Sequence, residues 1–300
     1  MHFTDDGYGH PISLPQVSTS NDRLYYLDGD ARVRFLGIDG TTGLAHALEV
    51  GHLSRAAFAV SPDNRRIAVT IVDYPSVSTG PVRIRLYVED LTGGTHRIDL
   101  FESSSMLEWP VGWHAGQLVI GVASVPYGQN QCEICAYRPQ EYHVVDATSG
   151  RRLATLCPAA SGGFSVTLPT PAGIECDVHS GDGSHQSLLQ GWDGTSRTIP
   201  SDLCGIGGQL SPDGLRLATT TLPQWANGGC TGSASITLID PYGRRVSTLA
   251  QGTPEGWLDP THLIFQRPQG GSAILDSSSG QTIPVGTLGT MVGSLPGNLG

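Results

Sequence analysis

The 300-residue sequence contains no lysine; all 17 of its basic residues are arginine. No Schiff-base or lysine-general-base chemistry is therefore open to it. Against 27 acidic residues the arginines leave a formal net charge of −10. An acidic surface repels phosphate backbones, which argues against nucleic acid as a partner. No uninterrupted apolar run reaches the 18 or so residues that a membrane-spanning helix needs. The first residues, MHFTDDGYGHP, have neither the basic nor the apolar segment of an export signal. On that ground the chain is either cytosolic or the remainder of a longer one, and a membrane anchor could lie only outside it. No stretch repeats apolar residues at helical spacing over three turns. Catalytic signatures are missing too: there is no G-x-S-x-G elbow, no H-E-x-x-H and no P-loop. The glycine-rich Gly205 to Gly208 opens a strand, so it offers no helix terminus to a phosphate. Asp28-Gly29-Asp30 and Asp182-Gly183 lack the remaining ligands of a calcium loop.

What the chain does have is punctuation. It contains 40 glycines and 20 prolines, and turn clusters recur about every ten residues, the mark of many short strands. Residues 208–220, GQLSPDGLRLATT, read as a hairpin. Proline sets φ, aspartate bonds the backbone two residues on, and glycine accepts positive φ. The alternation of Leu215, Leu217 and Thr219 with Arg216 and Ala218 predicts a half-buried second strand. The same unit stands at residues 58–70, FAVSPDNRRIAVT. A second marker is an apolar strand closed by an acid and a Gly- or Ser-rich turn. Its acids are Asp39, Asp90, Asp146, Asp193, Asp240 and Asp276, separated by 51, 56, 47, 47 and 36 residues. That is the period of four-stranded propeller blades. The expected fold is all-β: one six-bladed β-propeller of four-stranded antiparallel blades over residues 12–285. The blades fall at about 12–49, 55–100, 108–156, 162–200, 205–249 and 255–285. Residues 1–11 form an N-terminal tail, and 286–300 a Gly-rich tail or a closing strand. A sandwich or solenoid is the competing architecture.

The SPDG hairpins, with the Gly-Trp pairs Gly112-Trp113 and Gly256-Trp257, resemble the WD40-like repeats of TolB-type six-bladed propellers. The resemblance covers about residues 12–285, clearly at two repeats and in degenerate form at four. It implies a bacterial binding scaffold and no catalytic residue. The same repeats occur in propellers appended to prolyl-oligopeptidase-type peptidases, but no catalytic domain accompanies them in this chain.

The blade pattern puts all six cysteines on the end of the blades that carries the b–c and d–a loops. The candidate disulfides are Cys132 with Cys135, Cys157 with Cys176, and Cys204 with Cys230, one of fifteen possible connectivities. Such bridges imply an oxidising, extracytoplasmic compartment: secreted, periplasmic or cell-surface. Free thiols are one alternative. Zinc held by Cys132 and Cys135 with Cys157 and Cys176 is another, though no second C-x-x-C supports it. No metal or cofactor is assigned. His179 and His185, with Asp177 nearby, read as exposed turn residues rather than ligands.

The same loops carry aromatics that no packing rule demands: Tyr74, Tyr127, Tyr137 and Trp225. Large aromatics with polar tips suit interfaces; covering the blade ends is the alternative use. Trp113, Trp192 and Trp257 sit in repeat positions and are expected in the core, and the marker acids are expected to be structural. The sequence thus predicts a non-enzymatic scaffold that takes a protein or peptide ligand through its loop-rich end. The alternatives are a channel-centred metal-dependent hydrolase or lyase, using polar strand-a residues such as His114, Gln209 and Asp259, and a spacer that binds nothing.

Overall fold

The computed structural model describes residues 17–286 apart from 30, 52–53, 74–82, 93–95, 125–138, 158–168, 180–184, 200–204, 222–223, 227–228, 232–233, 241 and 243. Among the described residues there is no helix. Antiparallel sheets follow one another along the chain. The first contains β1 (Val17–Thr19), β2 (Arg23–Asp28), β3 (Arg32–Gly37) and β4 (Thr42–Ala47). The second contains β5 (Ser54–Val60), β6 (Arg66–Asp73), β7 (Arg83–Asp90) and β8 (Ile98–Ser103). The third contains β9 (Met106–His114), β10 (Gln117–Ser124), β11 (Glu141–Val145) and β12 (Arg152–Leu156).

The fourth sheet has three strands among the described residues, β13 (Ile174–His179), β14 (His185–Gln190) and β15 (Ser196–Ile199). Its expected first strand falls outside them. Then come β16 (Gly205–Leu210), β17 (Leu217–Thr221), β18 (Gln224–Ala226), β19 (Gly229–Thr231), β20 (Ser235–Ile239) and β21 (Arg245–Gln251). Of these, β16, β17, β20 and β21 form the fifth sheet, while β18 and β19 pair only with each other. The sixth sheet contains β22 (Thr253–Trp257), β23 (His262–Gln266), β24 (Ser272–Asp276) and β25 (Thr282–Pro284). Six successive meandering sheets are the strand plan of a six-bladed β-propeller. The chain forms two compact units that divide between Thr155 and Leu156. The first holds sheets one to three and the second sheets four to six.

Burial explains the strand compositions. In β6, Ile67, Val69 and Ile71 join Tyr25 and Val33 of the first sheet in one apolar cluster. The alternate residues Ala68 and Val72 join clusters built around Trp113 and Trp109 of the third sheet. The second sheet is thus covered on both faces, and between its charged ends β6 is apolar apart from Thr70. Small residues on its outward side (Ala57, Ala59, Ala68) leave room for the indoles. The strand after the second SPDG turn obeys the same rule and corrects the half-buried expectation. Leu217 packs with Leu189 and Leu210, Ala218 packs with Trp257 and Leu263, and both are buried. Leu215, expected to point inward, lies in the turn and is 60% exposed.

The turns are built as their residues dictate. Ser61 Oγ donates to Asp63 Oδ1 at 2.7 Å and accepts from the Arg66 amide at 2.8 Å. Ser211 repeats the arrangement with Asp213 at 2.6 Å and the Arg216 amide at 3.0 Å. The position after each aspartate has positive φ, 59° at Asn64 and 69° at Gly214, which asparagine and glycine tolerate best. Five of the six marker acids close other turns. Asp39, Asp146, Asp193 and Asp276 each accept an amide two residues on at 2.8–2.9 Å, and Asp240 does so from Tyr242. Their carboxylates serve the backbone, as local Asx bonding requires.

Candidate functional site

The b–c connections leave their sheets where polar side chains anchor the flanking strands. Around the connection at residues 74–82, Ser54 Oγ donates to Asp73 Oδ1 at 2.6 Å. Arg85 Nη2 donates to Asp73 Oδ2 at 2.8 Å. One aspartate at the end of β6 thereby fixes the start of β5 and the start of β7. Alongside, Arg83 and Glu102 form a two-pronged pair at 2.8 and 3.1 Å. The geometry is bidentate, but both partners are exposed, so solvent limits its worth.

A second anchor stands beside the connection at residues 125–138. Glu108 of β9 is the register partner of Val122, and Val122 is the partner of Glu141 on β11. The two acids therefore sit in one row across three strands, on the same side of the sheet. His143, two residues beyond Glu141, bonds it through Nε2 at 2.7 Å, and its side chain is 3% exposed. Burial holds the imidazole below its ordinary value, against the pull of the Glu141 bond. Burial also pushes the Glu108 carboxyl up to about 7; Arg152 opposes this and the Glu141 charge reinforces it. No motif in the sequence singles out this cluster. Its only linear sign is the Glu-x-His spacing of residues 141–143, which places both groups on one strand face. Glu141 and His143 thus form a largely buried polar pair on β11, in line with Glu108 of β9.

In the second unit, Cys157 and Cys176 are joined by a disulfide, with Cα atoms 5.5 Å apart. It ties the segment after β12 to the middle of β13. Gln190 accepts from the Cys157 amide, and Trp192 Nε1 donates to Thr170 O at 2.9 Å just beyond. Cys132, Cys135 and Cys204, with Tyr74, Tyr127 and Tyr137, lie outside the described residues. Trp225 is placed by its backbone. It lies in β18 directly opposite Cys230 of β19. The connection between β17 and β20 is therefore a hairpin standing apart from the fifth sheet, where the sequence reading expected a loop.

The channel candidates have local structural roles. Gln209 offers its carbonyl to Trp257, and His114 pairs with Gln117 across the β9–β10 turn. Asp259 accepts from the Thr261 amide at 2.7 Å and the His262 amide at 2.9 Å. Burial opposes its ionisation, yet bonds from Thr261 and His262 prevail and hold the carboxyl at about 2. His179 and His185 are register partners at the connected end of the β13–β14 hairpin. Among the described residues no group of three or more His, Cys, Asp or Glu is placed to hold a metal ion. No helix among them is long and apolar enough to cross a membrane.

The sequence matches no family model and no curated protein. Solved structures do resemble the fold. An oligogalacturonate lyase from Vibrio parahaemolyticus superposes with a TM-score of 0.58 at 9% identity, covering 86% of this chain and 75% of the lyase. The β-propeller domain of the Trilobed protease from Pyrococcus furiosus gives 0.53 at 12% identity, covering 92% of this chain and 85% of that domain. A puromycin-hydrolyzing peptidase of Mycobacterium tuberculosis gives 0.54 at 13% identity over 89% of this chain, which spans only 44% of the peptidase. At such identities the likeness speaks for architecture alone. The chain has the β-propeller fold.

Proposed function

We propose that this chain is a non-enzymatic, extracytoplasmic binding scaffold of TolB-like type. In this reading residues 12–285 form a single six-bladed propeller that takes a protein or peptide ligand through its b–c and d–a connections. The observation that carries the proposal is the β18–β19 hairpin. A connection with no task beyond joining β17 to β20 needs only a short turn, whereas this one contains a paired ribbon with Trp225 in its first strand. Ordered connections on a rigid sheet are where recognition residues concentrate. Asp73 and the Glu141–His143 pair tie strands that flank two more connections, those containing Tyr74, Tyr127 and Tyr137 in the sequence. The Cys157–Cys176 bridge supports an oxidising compartment, and the net charge of −10 favours a ligand without phosphate backbone.

The test is selection of a random-peptide display library on the immobilised chain. Peptides enriched by the wild type should lose retention on Tyr127→Ala and Trp225→Ala variants of unchanged melting temperature. Enrichment that survives both substitutions would count against these connections as the recognition surface.

A further inference from the structure

At the opposite, turn-bearing ends of the fourth and fifth sheets the second unit has a cleft of about 300 Å³. Its floor is apolar: Ala172, Leu189 and Leu210, which belong to a cluster with Leu217 and Ile239. Its rim is polar, formed by Thr195, Ser196 and Arg197. The polar groups are not equally free. Thr195 Oγ1 is committed to Asp193 at 2.6 Å, and Gln190, also on the wall, is committed to the Cys157 amide. Arg197 has no carboxylate partner among the described residues; its guanidinium lies 5.8 Å from the centre of the Tyr242 ring. Arg244, at 5.5 Å from the same ring, is by contrast neutralised by Asp240 at 2.7 Å. Tyr242 is 73% exposed. Arg197 thus brings to the rim of an apolar cleft a cation with no carboxylate partner among the described residues.

We propose that this cleft binds a small aliphatic monocarboxylic acid. Arg197, the register partner of Leu189 and so on its side of the sheet, meets the carboxylate, and the hydrocarbon tail lies on Leu189, Leu210 and Ala172. The volume is at the small end of ligand-sized pockets, which suits a short tail. A charged guanidinium–carboxylate bond is worth more than a neutral one, so the acid is selected over its uncharged isosteres. The site lies away from the b–c connections and stands or falls independently of them.

The experiment is titration of the full chain with hexanoate, hexanamide and hexanol, read by ligand-observed NMR and calorimetry. Hexanoate should bind about ten-fold more tightly than hexanamide, the factor that one charge-assisted bond supplies. Arg197→Gln should remove that advantage while leaving hexanamide unchanged, and Arg83→Gln, in the other unit, should change neither. Equal binding of acid and amide by the wild type, absence of hexanoate binding, or an Arg197→Gln variant that keeps the preference would each overturn the proposal. N-acetyl-leucine separates a free acid from a peptide C-terminus: tighter binding of it than of hexanoate would overturn the assignment to a free acid.

Discussion

Trp257 Nε1 donates to the carbonyl of Gln209 at 2.8 Å, as Trp113 Nε1 donates to the carbonyl of Ala59 at 3.2 Å. Gln209 and Ala59 occupy the same place, two residues before the serine of each SPD turn. The two indoles therefore perform one task in two units: each fixes the first strand of its own sheet against the hairpin of the sheet before. Arginines reach across the same joints. Arg66 lies 4.7 Å from the centre of the Trp113 ring and donates to Gly116 O at 3.3 Å, and Arg216 bonds Ser277 of the next sheet.

Trp113→Phe keeps most of the volume and loses the indole bond. It should destabilise the chain by about 1–2 kcal/mol, against about 3–5 kcal/mol for Trp113→Ala. Chemical denaturation of the two variants checks the ordering; equal losses would show that the N–H bond, not the ring volume, holds the joint.

Glu108 and His143 make stability depend on pH in opposite senses. Glu108 is raised from 4.5 to about 7, so its contribution is complete below the ordinary carboxylate value and is lost as pH rises through 7. His143 is held below 6.5, so its contribution is present above that value and is lost as pH falls through the depressed one. Glu108→Gln should therefore raise stability on the alkaline side by roughly 3 kcal/mol and leave the acid limb in place. A denaturation series across pH 4 to 9, about the range of these shifts, reads both limbs. An unchanged alkaline limb in Glu108→Gln would assign it to another group.

Reduction of Cys157–Cys176, which closes a loop of 19 residues' separation, should cost about 3 kcal/mol. The paired Cys157→Ser, Cys176→Ser variant should match the reduced protein at these positions. Unfolding with and without reductant, in the wild type and in the double variant, separates this bridge from the other four cysteines.

The repeat units were legible because their signals are local. The Ser-Pro-Asp turn at residues 211–213 and the Asx turn at Asp146 close bonds within five residues, so their chemistry is written in consecutive letters. The Glu108–Glu141–His143 cluster was not legible. It forms only when Val122 brings β9 and β11 to its two sides, and burial, not residue type, sets the protonation of Glu108 and His143. The β18–β19 hairpin was missed for a related reason. Its strands are three residues each, too short to show an alternation. The full burial of Ala218 and Leu217 was hidden too, since neighbouring sheets cover faces that a strand pattern alone leaves open.

Recognition through the b–c connections would leave a local footprint on the backbone amides. Hydrogen–deuterium exchange of the chain with and without a library-selected peptide tests it most directly. Added protection is expected at residues 74–82, 125–138 and 224–231, with the SPD turns at 61–66 and 211–216 unchanged. Protection confined to those turns, with the three connections exchanging as in the free chain, would contradict it.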